Sequence, residues 1–322
     1  MDSYIISLTE PTKLQKELVK KGLRPHWVQA IRGSELTSQQ IHAETVWPYS
    51  YIAPSVATAI GMSHIKAWKT FLDSSAPYAV ILEEDAVLTE DFAPSLKKAI
   101  TEVPDDYDIL YLGCYGCTSS CNQWTMLMPY IKFFRTFKEI NPTIISPVVA
   151  VALHGYVISR KGAERLLQLL DHRLFTHVDG CIVLMSMIHQ LTAYSVSKLI
   201  VSQTSTNNQF VISTNATNQH PLLVSRLLSM IQFDSNVRLH YSFNFTIFQL
   251  GYAHINIITG FIGILGILFA LCGMSVGMAT MIFLLLSLPD LFLSPNWSIL
   301  LHYCVWCIPA IGITLLRRLL GI

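Results

Sequence analysis

Two long runs of this chain carry no formal charge, and they restrict what the remainder can be. Of the 322 residues, those from Leu239 to Pro289 and from Leu291 to Leu316 include no Asp, Glu, Lys or Arg. Within the first, "INIITGFIGILGILFALCGMSVGMATMIFLLLSL" (255–288) exceeds the roughly 20 apolar residues that a helix needs to cross a bilayer. The second, "WSILLHYCVWCIPAIGITLL" (297–316), closes on Arg317 and Arg318, the pattern of an interfacial anchor. Buried core helices are the competing reading, but length without charge favours membrane spans. The longer run can fold as a tight hairpin around Gly273–Gly277, so two or three spans are expected. The opening "MDSYIISLTE" lacks a basic n-region and an h-region and does not read as a signal peptide. With basic residues kept inside, an integral, multi-pass protein with its soluble part on the cytosolic side is expected.

Composition narrows the function classes. The chain is 52% hydrophobic and 13% charged, with a formal net charge of +1. No basic run is present, which argues against a nucleic-acid partner. No Walker loop, G-x-G-x-x-G or H-E-x-x-H occurs. The seven cysteines are an odd number, suited to a reducing compartment. Cys114, Cys117 and Cys121 lie in "CYGCTSSC", but no fourth ligand at metal-site spacing follows, so free thiols are expected. Three sequons stand at Asn215, Asn244 and Asn296, and cytosolic placement would leave the first two unmodified.

Residues 1–200 alternate strand and helix. "YIISL" (4–8), "WVQAI" (27–31), "YAVIL" (78–82) and "YDILYL" (107–112) read as strands. "KLQKELVKKGL" (13–23) and "PSLKKAI" (94–100) read as helices. "SVATAIGMSHIKAWKTFL" (55–72) carries an apolar stripe at Val56, Ile60, Ser63/His64, Ala67 and Phe71. "GYVISRKGAERLLQLLD" (155–171) reads as strand then helix, with Ser159 as N-cap. The alternation predicts an open α/β sheet covered on both faces, whose ligands bind beyond the carboxyl ends of the strands. Residues 201–250 are first Asn/Gln/Ser/Thr-rich, a linker or surface strand pair, and then amphipathic and membrane-proximal in "LLVSRLLSMI". Residues 251–322 are the transmembrane region.

The strand "YAVIL" runs directly into Glu83, Glu84 and Asp85. Glu83 and Asp85 are two residues apart, so both carboxylates can face one point. Such a pair is mutually destabilising unless one protonates or a cation joins them. Oxygen ligands with open positions suit Mn²⁺ or Mg²⁺, completed by a diphosphate and water. A solvated charged turn capping the next helix is the alternative at this point.

"AVILEEDAVL", the upstream "MSHIKAWKTF" (62–71) and the downstream "HGYVISRKGAERLL" (154–167) resemble glycosyltransferase family 25 in order and spacing. "YIISL", "AIRGSEL" (30–36) and "HVDG" (177–180) resemble its opening elements and its late V-D motif. The resemblance covers roughly residues 1–200. It implies a GT-A fold, a mixed Rossmann-type sheet flanked by helices, with a UDP-sugar or other nucleotide-sugar donor and a divalent metal. Glu83 and Asp85 fall on the family's metal acids, with Glu84 where an Asp is usual. Ser63 and His64 fall on its S-H pair. The usual Gly-Cys is replaced by Ala59 and Ile60, with Gly61 beside them. An opening-strand Asn is replaced by Ser7, and Lys13 fills a nearby basic position.

The resemblance implies inverting transfer of a sugar to a hydroxyl of a glycan, glycolipid or glycoprotein, with galactose or glucose as the expected sugar. Asp179, in the V-D motif, is the expected base, with His177 as competitor or orienting partner; capping of the helix that follows is the other reading of Asp179. Donor-site residues are then Ser7, Lys13, Ser63, His64, Glu84 and His154, the last as a cation on diphosphate or simply paired with a backbone carbonyl. Trp68 shares the face of His64, and Tyr4 either stacks on a base or packs in its strand. A catalytically inactive domain that binds sugars or scaffolds partners at a membrane is the alternative reading.

Overall fold

The computed structural model describes residues 1–117, 137–170 and 173–203, and beyond them 232–234, 237–238, 248–250, 253–255, 266–268, 270–273, 281, 285 and 297–320. The chain divides into two compact units, Met1–Val211 and Ile212–Ile322.

In the first unit β1 (Asp2–Ser7), α1 (Thr12–Lys20), β2 (Arg24–Gln29), α2 (Ser38–Glu44) and α3 (Ser55–Leu72) lead to β3 (Tyr78–Glu83). Then come β4 (Ala86–Leu88), α4 (Phe92–Glu102), β5 (Ile109–Tyr115), β6 (Lys138–Glu139), β7 (Ile144–Ser146) and β8 (Val151–Ser159). The unit closes with α5 (Arg160–Leu170), α6 (Val178–Met187), β9 (Ala193–Val196) and β10 (Val201–Gln203). Eight strands form one mixed sheet in the order β2-β1-β3-β8-β5-β9-β7-β6. β1 is parallel to both β2 and β3, whereas β8 enters antiparallel between β3 and β5. The expected α/β class is therefore observed, with an antiparallel strand at its centre.

Strand alternation sends side chains to two cores, one on each face. Ile81, Tyr156 and Ile158 pack with Trp68 and Phe71 of α3, Leu166 of α5 and Ile182 of α6. Val80, Leu82 and Val157 pack with Leu14 and Leu18 of α1 and Phe92 and Leu96 of α4. Coverage on both faces explains why the central strands are continuously apolar. Gly22, at φ +80°, follows α1, a backbone state that glycine adopts without strain. Ser159 caps α5 as expected, its Oγ accepting the Gly162 N–H at 2.9 Å.

The expected stripe on α3 is observed at Ser63, His64, Ala67 and Phe71, which are buried, but not at its start: Val56 is half-buried, Ile60 is exposed, and Ala57, Ala59 and Gly61 are buried instead. Small residues let the helix approach closely: a Cβ on Gly61 would stand 2.3 Å from Leu174 Cδ1. Aliphatic size was the wrong guide on a face that buries small side chains.

Two glycines make a notch in the sheet. Gly113 of β5 and Gly155 of β8 are directly paired. A Cβ on Gly113 would lie 2.4 Å from the Val201 carbonyl oxygen and 2.5 Å from His154 Nε2, and one on Gly155 would lie 2.7 Å from Val201 Cγ1. β10 thus lies against the sheet where a side chain would otherwise stand. It pairs antiparallel with β4, setting Gln203 opposite Ala86. A strand that carries a site residue begins at Val201, where the sequence suggested a linker.

The thiols expected to be free at Cys114 and Cys117 are instead bonded to each other, with Cα atoms 6.1 Å apart; Cys121 lies outside the described residues.

In the second unit two hairpins, β11 (Gln232–Asp234) with β12 (Val237–Arg238) and β13 (Phe248–Leu250) with β14 (Ala253–Ile255), precede a 24-residue helix, α7 (Trp297–Leu320). A helical turn ends at Gly273, φ +82°, and the Arg317 guanidinium donates to the Ala270 and Leu271 carbonyls at 2.8 and 2.7 Å. Arg317 therefore caps a helix end. Among the described residues no helix is long and apolar enough to cross a membrane. Most of 255–288, the segment "LLVSRLLSMI" and the three sequons lie outside the described residues.

Because the atoms crowding Gly113 are a backbone carbonyl and a buried ring, Gly113→Ala should lower stability by roughly 1–3 kcal/mol, read from chemical denaturation.

Candidate active site

The acids occupy the carboxyl end of β3, beside the carboxyl end of β1, as the open-sheet rule places them. Glu83 ends β3 at its pairing with Ile6, Asp85 follows in the turn, and β4 carries the chain away.

Glu83 is held from below by a buried chain of hydrogen bonds. Trp68 Nε1–H donates to Tyr156 Oη at 2.7 Å, Tyr156 Oη lies 3.0 Å from His64 Nδ1, and His64 Nε2 lies 3.2 Å from Glu83 Oε1. The indole can only donate. Every group is satisfied when Tyr156 donates to Nδ1 and His64 carries its proton on Nε2, donating to the carboxylate. His64 is fully buried, so this tautomer assignment follows from its two partners. Burial is the largest influence on the Glu83 carboxyl and would raise it, but the His64 contact and the Gln203 hydrogen bond act together against it and hold the group below its ordinary value.

Asp85 goes the other way. Burial, and then the charge of Glu83, push its carboxyl up to about 7. One donor serves both acids: Gln203 Nε2 lies 3.4 Å from Glu83 Oε2 and 3.5 Å from Asp85 Oδ1. Tyr115 donates its hydroxyl to Gln203 Oε1 at 2.6 Å. The two carboxylates thus converge on a common point, which is what a shared divalent cation requires. Glu83 and Asp85 fit Mn²⁺ or Mg²⁺ as a pair, leaving open positions for phosphate oxygens. Among the described residues, His, Cys, Asp and Glu side chains form no group of three that could hold a metal, so a two-carboxylate site is what these residue types provide.

The third acid is turned elsewhere. Glu84 Oε2 accepts the Ser7 hydroxyl at 2.5 Å and the Leu8 N–H at 3.2 Å. Glu84 and Ser7, both expected on the donor side, lock β1 to β3 across the rim by bonds within the fold.

Ser63 is also structural. Its buried hydroxyl donates to the Ala59 carbonyl at 2.7 Å and accepts the Ile31 N–H at 2.9 Å, fastening α3 to the loop after β2.

His154 does not serve as a cation on diphosphate. It is 1% exposed, and burial depresses its pKa to about 4, so the ring is neutral near pH 7. It bonds the Val201 backbone, the second of the two roles the sequence allowed, and its Nδ1 has no partner. A neutral His154 also cannot be what lowers Glu83.

Lys13 is exposed in the first turn of α1, just past the end of β1. Tyr4 stacks on His26 with ring centroids 5.0 Å apart and lines a cleft with Asp2 and Arg24 at the opposite, amino end of the strands, so strand packing is its role.

Asp179 begins α6 and does two backbone jobs. Oδ1 accepts the Gly180 N–H at 2.8 Å, and Oδ2 accepts the N–H of Ala152 at 3.2 Å. Ala152 has φ +68°, a costly state for a residue with a Cβ, and the carboxylate helps hold it there. Since Leu82 pairs with Gly155, the start of β8 lies at the rim, and Asp179 reaches that rim through Ala152. His177 stands at the N-cap of α6 without a side-chain capping bond.

The sequence reading missed Gln203, Tyr115 and Tyr156. Gln203 sits in a polar tract that hid the strand, although Ile200 and Val201 just before it carried a short β signal. Tyr156 and Trp68 were within the quoted motifs, but their bond joins residues 88 positions apart.

A carboxylate pair at the carboxyl rim of a mixed sheet, with a buried histidine behind it, is the site of an α/β enzyme. The chain belongs to glycosyltransferase family 25: the model described as glycosyltransferase family 25 (LPS biosynthesis protein) matches residues 1–182. It is accordingly a glycosyltransferase. No curated protein matches the chain. Solved structures with loose likeness include mouse xyloside xylosyltransferase 1 in its apo form, at 10% identity and TM-score 0.33 over 60% of this chain and 70% of that one. Another is glucosyl-3-phosphoglycerate synthase from Mycobacterium tuberculosis in complex with Mg²⁺ and uridine diphosphate, at 15% identity and TM-score 0.30 over 73% and 69%. A third is a mycobacterial protein at 14% identity and TM-score 0.31 over 73% and 76%.

The opposed shifts give a sign that can be checked. Asp85 binds its proton more tightly folded than unfolded, so its ionisation costs stability as pH rises from about 4 to about 7. His154, depressed to about 4, contributes the reverse slope up to about 6.5. Glu83, lowered, adds stability that is lost only as pH falls below its ordinary range. The stability of Asp85→Asn relative to the parent, measured without metal, should therefore grow between pH 5 and 8 and then level off.

Proposed function

We propose that the chain transfers a hexose, galactose or glucose, with inversion from a UDP-sugar to a hydroxyl of a glycan, glycolipid or glycoprotein. The observation that carries this reading is the convergence of Glu83 and Asp85 on one amide nitrogen. Glu83 and Asp85 would hold Mn²⁺ or Mg²⁺, and the bound cation supplies Lewis-acid neutralisation of the leaving diphosphate. The donor then lies along the carboxyl rim in a GT-A-type arrangement, with Lys13 within reach of its phosphates.

His64, backed by Tyr156 and Trp68, fixes one Glu83 oxygen and leaves the other toward the cation. Glu84 and Ser7 hold the end of β1 against β3, so the floor beneath the donor is rigid. Asp179 takes the proton of the attacking hydroxyl: each of its oxygens accepts one backbone N–H and keeps a lone pair for the acceptor. His177, two residues before Asp179 at the N-cap of α6, orients that hydroxyl.

In this reading the C-terminal third anchors the enzyme as an integral, multi-pass protein with its catalytic unit on the cytosolic side. Support comes from the charge-free runs 239–289 and 291–316. The full chain should then remain in the membrane pellet after alkaline carbonate washing; release into the supernatant would reject the anchor.

With Mn²⁺ and a panel of UDP-sugars, the full chain should turn over a donor. Asp85→Ala should abolish turnover. Asp179→Asn should lower kcat by about 10²–10⁴-fold with donor KM unchanged, as expected for loss of a base. Equal activity of Asp179→Asn and the parent would remove Asp179 from the chemistry.

A further inference from the structure

Resting on the metal-site reading above, we propose that Gln203 is a third protein ligand of the divalent cation, supplying its amide oxygen after the amide turns over. Gln203 lies beyond the 1–182 span that defines the family, yet its side chain reaches both metal acids. Its position is dictated by the fold. The Gly113–Gly155 notch seats Val201, and the β10–β4 register sets Gln203 opposite Ala86, the residue after Asp85.

The amide now presents Nε2 to the carboxylates because they only accept, while Oε1 takes the Tyr115 proton at 2.6 Å. Rotation by half a turn exchanges the two ends. Oε1 would then stand where Nε2 stands, 3.4 Å from Glu83 Oε2 and 3.5 Å from Asp85 Oδ1. Adjacent oxygens around an octahedral ion with bonds of 2.0–2.1 Å are about 2.9–3.0 Å apart. Those two separations would need to shorten by about half an ångström for the amide oxygen to share an ion with the carboxylates.

Tyr115 can follow the exchange because a hydroxyl both donates and accepts. Its hydroxyl donates to Oε1 in the metal-free arrangement and accepts from Nε2–H in the turned one. A carbonyl oxygen is also the right ligand here. It is hard, as Mn²⁺ and Mg²⁺ prefer, and adds no third negative charge to a pair that already repels. Metal-free, the same amide acts as a weak surrogate cation, which keeps the two acids converged.

The test is Mn²⁺ binding by the full chain with UDP present, followed by loss of the free-ion electron paramagnetic resonance signal, together with the melting temperature with and without Mn²⁺. Gln203→Leu should weaken Mn²⁺ binding tenfold or more. Gln203→Glu, which needs no turn to present an oxygen, should bind at least as tightly as the parent and gain the largest Mn²⁺-induced rise in melting temperature. Tyr115→Phe should fall between the parent and Gln203→Leu. Affinity of Gln203→Leu equal to or above the parent, or of Gln203→Glu at or below Gln203→Leu, would overturn the proposal. Should Gln203→Leu fail to fold, the ranking of Gln203→Glu against the parent decides it. Asp85→Ala separates the two levels: undiminished binding there refutes the acid-pair site itself, whereas lost binding there with unchanged binding in Gln203→Leu refutes the Gln203 assignment alone.

Discussion

Two carboxylates forced together at a strand end are the constraint around which the catalytic unit is organised. Repulsion between Glu83 and Asp85 in a partly buried rim would ordinarily splay them or protonate one. The fold splits the problem unequally. Glu83 receives a fixed N–H from His64 and stays ionised, while Asp85 takes a long contact from Gln203 and has its proton affinity raised. One acid is thus pre-formed, and the other holds a proton that a cation can displace. The cost is the burial of His64, Tyr156 and Trp68, tolerable because each polar atom in the chain Trp68–Tyr156–His64–Glu83 has a partner.

The sheet topology explains how these groups meet. β8 enters antiparallel between β3 and β5, so Tyr156 lies beside Ile81, and His154 and Ala152 fall toward the rim. α3 then packs on that face with His64 and Trp68 toward Tyr156. From the opposite direction β10 comes over the glycine notch and delivers Gln203. Residues far apart in sequence (64, 83, 115, 156 and 203) converge because one antiparallel strand and one side-chain-free notch sit at the centre of the mixed sheet.

Much of this was legible in the sequence, and the misses share a cause. The strands YIISL and YAVIL, the helix 55–72, the Ser159 cap and the acids at a strand end are local patterns, and each was where periodicity or spacing placed it. The family resemblance rested on the same local strings. What failed was orientation and long-range pairing. Ser63, His154 and Ser7 were expected to face a donor because they stand in motifs, but each side chain bonds inside the fold. The start of the buried face of α3 was misjudged because close packing selected small residues over Ile60, whereas Ser63, His64, Ala67 and Phe71 are buried as expected. Gln203 was hidden because a three-residue strand beside a polar tract has almost no periodic signal, and the glycines that admit it lie 90 and 48 residues upstream.

The two departures from the family pattern at the rim explain one another. Where the family has an opening-strand Asn and a middle Asp, this chain has Ser7 and Glu84. Ser is shorter than Asn, and Glu is one methylene longer than Asp. These two side chains are hydrogen-bonded to each other at 2.5 Å, with the Leu8 N–H as a second donor to the same oxygen. The Glu84 carboxylate is tied to β1 by these bonds, so three consecutive acids act as a pair plus a clamp. Its charge still adds to the rise at Asp85, behind burial and Glu83, and the substitution is compatible with an intact metal pair.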